Sequence, residues 1–166
     1  MAQTAIKLEV LNPKHVIELA SKNIIDMQEF FMMFNIYNDM VNSVQEHKSN
    51  PSALYSVHWV VRDTQIINNA NNNNIGGMIG LDNINIKNKT ATLLTADIQE
   101  SKMILEACQF IEDYCINNLK LNSVHGHASR EANLTFWEKF GYTTKMASDG
   151  IKGLFYFTKI FSKQHS

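Results

Sequence analysis

The hydrophobic period changes along this chain, and that change limits the folds open to it. Ile6, Leu8 and Val10 alternate with Lys7 and Glu9, and Val57, Trp59 and Val61 alternate with His58 and Val60. A period of two belongs to strands. From Gln99 the apolar residues instead recur at three and four: Met103, Ile104, Ala107, Phe110, Ile111, Tyr114 and Cys115. That spacing predicts a helix to about Leu119. The chain therefore combines strands and helices in one unit of 166 residues, the size of a single domain with one core.

The remaining elements follow from local signals. Asn12-Pro13 reads as a helix cap followed by proline at the first helical position, with Val16, Ile17, Leu19 and Ala20 as the apolar stripe. A second helix is expected from about Asp26 towards His47. Its Phe30, Phe31, Met33, Phe34, Tyr37, Met40 and Val41 crowd one broad face suited to core packing, or, if exposed, to an acceptor or partner. Strands are expected at 55–62, 75–86, 90–98 and 121–128, a short helix at 132–140, and a closing hairpin of 142–146 with 154–161 around Ser148-Asp149-Gly150. The order β-α-α-β-β-β-α-β-α-β-β predicts an α/β (α+β) fold, with a mixed, mostly antiparallel sheet of about seven strands and helices on both faces. Nineteen asparagines include the cluster at 68–74, expected to be a mobile loop between two strands.

Composition narrows the function classes. Hydrophobic residues make up 45% and charged residues 19%, as in a globular protein. Fifteen basic against sixteen acidic side chains leave a net charge of −1. That balance lacks the basic excess of nucleic-acid binders and the polybasic stretch of membrane-surface proteins. No run of eighteen apolar residues and no secretory leader is visible, so a cytoplasmic location is expected. Cys108 and Cys115 stand two helical turns apart, roughly 10 Å, beyond disulfide reach, and read as reduced packing residues.

The block from Leu121 to Tyr142, ending Phe136-Trp137-Glu138-Lys139-Phe140-Gly141-Tyr142, resembles the last motif of the general N-acetyltransferase (GNAT) superfamily. Phe136 and Phe140, four apart, can face a core, and Gly141 permits a tight helix exit. The stretch Ile75-Gly76-Gly77-Met78-Ile79-Gly80-Leu81-Asp82-Asn83-Ile84 is similar to the third strand of the ribosomal-protein-acetyltransferase-like branch, and the element order matches over essentially the whole chain. The resemblance implies transfer of acetyl from acetyl-CoA to a primary amine of a small molecule or a protein N-terminus, without a metal. It also allows a homodimer paired through an edge strand near the C-terminus.

In that superfamily a Q/R-x-x-G-x-G/A motif opens the long helix and cradles the pyrophosphate of acetyl-CoA on free backbone amides. Counting back from Tyr114 puts Gln99 on its first position, so the resemblance implies donor contacts at Asp97, Ile98, Gln99, Ser101, Lys102, Met103 and Ile104, with Asn133 and Trp137 from the last helix. The two glycine positions hold Lys102 and Ile104. A branched Ile104 gives neither the positive φ nor the close approach of glycine, while Lys102 offers an ammonium to phosphate. The tyrosine that protonates the leaving thiolate in many members is replaced by Trp137, and Ser129 is the nearby substitute.

Asp97 stands at the end of the fourth strand and suits a water-mediated base; it equally suits a cap of the helix that follows. His125-Gly126-His127 sets two imidazoles on one strand face, where His125 suits a base on the acceptor side. No third metal ligand stands at diagnostic spacing. His58 is a further base candidate, and Asp82 a solvated carboxylate or a contact for a cationic acceptor. Gly76, Gly77 and Gly80 open no helix, so they mark a bulge or a close strand contact and not a dinucleotide fingerprint. The alternative function is a catalytically degenerate GNAT-fold binding or interaction protein, for which Lys102, Ile104 and Trp137 speak.

Overall fold

A computed structural model of the chain describes residues 6–64, 75–96, 101–128, 137–146 and 155–161. The expected loop at 68–74 and the hairpin tip at 148–150 lie outside these residues. In chain order the elements are β1 (Ile6–Val10), α1 (Pro13–Ser21), α2 (Met27–Ser49), β2 (Tyr55–Asp63), β3 (Ile75–Asn85), β4 (Thr90–Ala96), α3 (Ser101–Asn117), β5 (Ser123–Ala128), β6 (Thr143–Met146) and β7 (Phe155–Ile160). A helical turn at residues 137–139 precedes β6.

The strands form a seven-stranded sheet in the order β1-β2-β3-β4-β5-β7-β6. All neighbours run antiparallel except β4 and β5, which are parallel because α3 carries the chain across between them. This is the expected mixed sheet. The last strand inserts between β5 and β6, so β6 becomes the edge.

Alternation along β2 sends residues to two cores. Trp59 and Val61 join Ile79, Leu81, Leu93, Val124 and Phe157 against Ala107, Cys108, Ile111 and Cys115 of α3. Val60, on the opposite face, packs with Leu11, Val16 and Leu19 and with Met33 and Met40 of α2. Both cysteines are free, and burial pushes each thiol up to about 12, so both stay protonated packing groups. The apolar stripe of α2 is divided: Met33 and Met40 are buried, whereas Phe31 is 58% and Met32 54% exposed. The broad face read from sequence is thus partly core and partly surface.

Local chemistry fixes the helix ends. Asn12 caps α1, its side chain accepting from the Lys14 N–H while the Asn12 N–H donates to Nδ1 of His15. At the other end Asn23 takes φ 56°, and the Ile24 and Asn23 N–H groups donate to Leu19 and Ala20 carbonyls, a Schellman closure. The 137–139 turn ends the same way: Gly141 has φ 86°, its N–H donates to the Glu138 carbonyl, and that of Tyr142 donates to Trp137. The Trp137 and Tyr142 rings meet at 5.1 Å, supplying the apolar contact that accompanies such caps. This is the tight exit expected of Gly141.

Arg62 ties β2 to β1 and α1. Its Nε donates to Glu9 at 2.6 Å, and both terminal nitrogens grip Glu18 at 2.9 and 3.0 Å. Because Nδ1 of His15 accepts from the Asn12 amide, Nε2 carries the proton and donates to Glu9 at 3.0 Å.

Candidate functional site

The parallel ladder between β4 and β5 is short. Only Thr90, Ala91 and Thr92 pair, with Ser123, Val124 and His125. Beyond them β4 continues to Ala96 on β3, and β5 to Ala128 on β7, without pairing to each other. Beyond Thr92 and His125 the two strands therefore part into a wedge. Thr92 Oγ1 and His125 Nε2 meet at 3.1 Å at the last pair before the parting. Gly126 keeps this apex tight: a Cβ there would lie 2.9 Å from the Leu93 carbonyl oxygen and 2.4 Å from Cζ of Phe157. Four residues separate the end of β4 from the start of α3, so the helix follows directly from the wedge.

A cleft of about 440 Å³ opens on the α1–α2 side of the sheet. One wall is the end of α1 and the first turns of α2, with Ile25, Glu29, Met33 and Ile36; the other is β3 from Ile75 to Gly80. Leu94 of β4, two residues past Thr92, also lines it, so cleft and wedge share that strand. The α2 wall is positioned by Asp26, whose carboxylate accepts from the Glu29 N–H at 2.8 Å while Glu29 accepts from the Asp26 N–H at 3.2 Å.

Two glycines shape the opposite wall. Val61 pairs with Gly77 and Arg62 with Ile75, so Gly76 is the extra residue of a bulge. His58 pairs with Gly80, and a Cβ on Gly80 would stand 2.2 Å from Nδ1 of His58. The missing side chain is what lets the imidazole lie across the strand into the cleft. Both meanings expected of the glycine run, bulge and close contact, are realised. Burial holds the His58 pKa below its ordinary 6.5, against a weaker upward pull from Asp82, so the ring is a neutral base near neutral pH.

His125 and His127 share a face of β5, as expected, and both are exposed. Partial desolvation, and then His127, lower the His125 pKa; the His127 ring rests 4.7 Å from that of Tyr156. His58 and His125 lie on the same sheet face but three strands apart, roughly 14 Å at ordinary strand spacing, so one acceptor nitrogen cannot meet both. Asp82 pairs with Thr92, in the same cross-strand row as His125. Ser101, Lys102, Met103 and Ile104 form the first turn of α3. Trp137 is a core ring, 6% exposed and stacked on Phe157 with centroids 4.2 Å apart, so the structure gives it a packing role. Asp97, Ile98, Gln99, Ser129 and Asn133 lie outside the described residues. Among the described residues no group of three His, Cys, Asp or Glu is placed to hold a metal ion. None of their helices is long and apolar enough to cross a membrane.

Glu29 was not singled out by sequence reasoning. Its signal was present in Asp26-x-x-Glu29, a capping box, but a capping box marks a helix start and not a cleft.

The parted parallel pair within a seven-stranded sheet, with the long helix leaving directly from it, is the fold of the GNAT N-acetyltransferases. A mutant form of the spermidine N-acetyltransferase SpeG from Vibrio cholerae superposes with a TM-score of 0.64 at 16% identity, covering 95% of each chain. The N-acetyltransferase PseH from Campylobacter jejuni superposes at 0.61 and 16% identity, covering 96% of this chain and 100% of its own. No family model and no curated protein matches the sequence.

Proposed function

We propose that this protein transfers acetyl from acetyl-CoA to a primary amine. The observation that carries the proposal is the junction of the β4–β5 wedge with a cleft containing a neutral histidine, on the shared strand β4. The free amides of Ser101–Ile104, aided by the Lys102 ammonium, are assigned the pyrophosphate of the donor. A backbone N–H of the stretch Thr95–Ile98 is assigned the thioester oxygen. His58, or a water it holds, takes the proton of the acceptor ammonium. The amine nitrogen then bonds to the thioester carbonyl carbon, the carbon–sulfur bond breaks, and the second proton of the nitrogen passes to the thiolate, with Ser129 as the proposed acid that hands on its own proton and takes up that one. Asp97 and His125 are the other proposed bases.

A cytoplasmic location and homo-oligomerisation accompany this proposal. For the latter, one similar solved structure of the Vibrio cholerae spermidine N-acetyltransferase is described as dodecameric. The test is acetyl transfer by the full chain, read as thiol release dependent on both acetyl-CoA and a primary amine. Release with neither His58→Ala nor His125→Ala slowing it would remove both histidines as bases and leave Asp97, and no release with any amine would remove the activity.

A second reading is favoured by Lys102 and Ile104 on the two glycine positions: a GNAT-fold binding protein without turnover. If the double change Lys102→Gly, Ile104→Gly creates coenzyme A binding that the native chain lacks, this second reading is the better account.

A further inference from the structure

We propose that the acceptor is a primary monoamine with an apolar alkyl or aryl body, its single cationic head set by Glu29, and not a polyamine. This rests on the acetyl-transfer reading and deepens it. The cleft walls are aliphatic and thioether side chains, among them Ile25, Met32, Met33, Ile36, Met78 and Leu94. Among the described lining residues Glu29 is the one carboxylate and His58 the one other ionisable group. Glu29 is half-buried; Oε1 is engaged by the Asp26 N–H, and Oε2 makes no hydrogen bond among the described residues, leaving it to take an ammonium.

The described lining pairs one positive charge. A polyamine carries further ammonium groups a few bonds apart, and among the described lining residues these would face Met and Ile side chains with no second carboxylate, which is costly for a desolvated cation. An apolar body instead loses its hydration against those walls, and methionines adapt to its shape. The spermidine named for the Vibrio cholerae structures is thus a poor match to this cleft, although the fold is shared.

The test is calorimetric titration of the full chain with 2-phenylethylamine, hexylamine and spermidine, and separately with coenzyme A. Either monoamine is expected to bind at least tenfold more tightly than spermidine. Glu29→Gln keeps an oxygen for the Asp26 N–H but removes the charge, and should weaken monoamine binding at least tenfold with the melting temperature nearly unchanged. Met32→Glu, at a position 54% exposed, adds a second carboxylate to the wall and should shift preference towards spermidine. Spermidine binding as tightly as the monoamines, no binding of any of the three, or indifference to Glu29→Gln would overturn the proposal. Coenzyme A separates the two failures: amine binding without coenzyme A binding keeps this acceptor class and removes the acetyl-transfer reading.

Discussion

Nδ1 of His58 lies 2.2 Å from where a Cβ of Gly80 would be, so the position of the one depends on the bareness of the other. Gly80→Ala must push the imidazole out of the cleft or part β2 from β3. The expected cost is about 1–3 kcal/mol, as for an added methyl group in a packed site. Activity should fall further than stability does. Thermal unfolding alongside kcat/KM checks this, and a variant with full activity would separate His58 from the chemistry.

The pH dependence follows from the same ring. Burial lowers the His58 pKa, so its neutral form persists below pH 6.5. The acid limb of kcat/KM should therefore fall at a pH below 6.5, and His58→Asn should abolish that limb as well as lower the rate. The stability contribution has the same sense. Protonation favours the unfolded chain as pH drops from 6.5 through the folded pKa, so wild type loses stability there relative to His58→Asn.

Gly126 and Gly141 separate crowding from backbone strain. Gly126→Ala would drive a methyl into Phe157 and the backbone of Leu93, forcing the β4–β5 apex open; the variant should fold poorly or lose its cleft geometry. Among the described residues a Cβ on Gly141 meets nothing nearer than Lys159 Cε at 3.6 Å, but φ is 86°. Gly141→Ala should cost about 1–2 kcal/mol from strain alone. Denaturant melts should therefore rank Gly126→Ala well below Gly141→Ala.

Acid stability should report the Arg62 clasp. The Arg62 hydrogen bond, and then those of His15 and Lys7, hold the Glu9 carboxyl at about 2 against its ordinary 4.5. A depressed carboxylate stabilises the fold above its unfolded pKa, and that contribution is lost as pH falls from 4.5 towards 2. Arg62→Met leaves Glu9 and Glu18 without the guanidinium and should cost on the order of 3 kcal/mol at neutral pH. It should also flatten the acid transition in that window, measured by circular dichroism against pH.

Local chemistry was readable in the sequence wherever one segment decides it. Asn12-Pro13 begins α1, the three-and-four spacing from Met103 to Cys115 defines α3, and Gly76 and Gly80 mark a bulge and a close contact. Properties that need two distant segments were not readable. The insertion of β7 between β5 and β6 depends on pairing such as Gly126 with Phe157, which no local pattern encodes. The parting of β4 from β5 is a ladder that stops, and Leu93 and Val124 look the same in a paired or an unpaired strand. On α2 the apolar residues exceed what one face can bury, so period alone could not divide Met33 from Met32. Glu29 was hidden for a related reason: its cap role is local, but its place in the cleft is set by β3.

The central claim is that the wedge and the first turn of α3 hold an acyl-CoA despite Lys102 and Ile104. Titration calorimetry of the full chain with acetyl-CoA tests it most directly. The account predicts saturable binding at one site per chain, weakened at least tenfold by Lys102→Glu. Absence of heat or of any saturable signal at millimolar acetyl-CoA, with the protein folded, would contradict it.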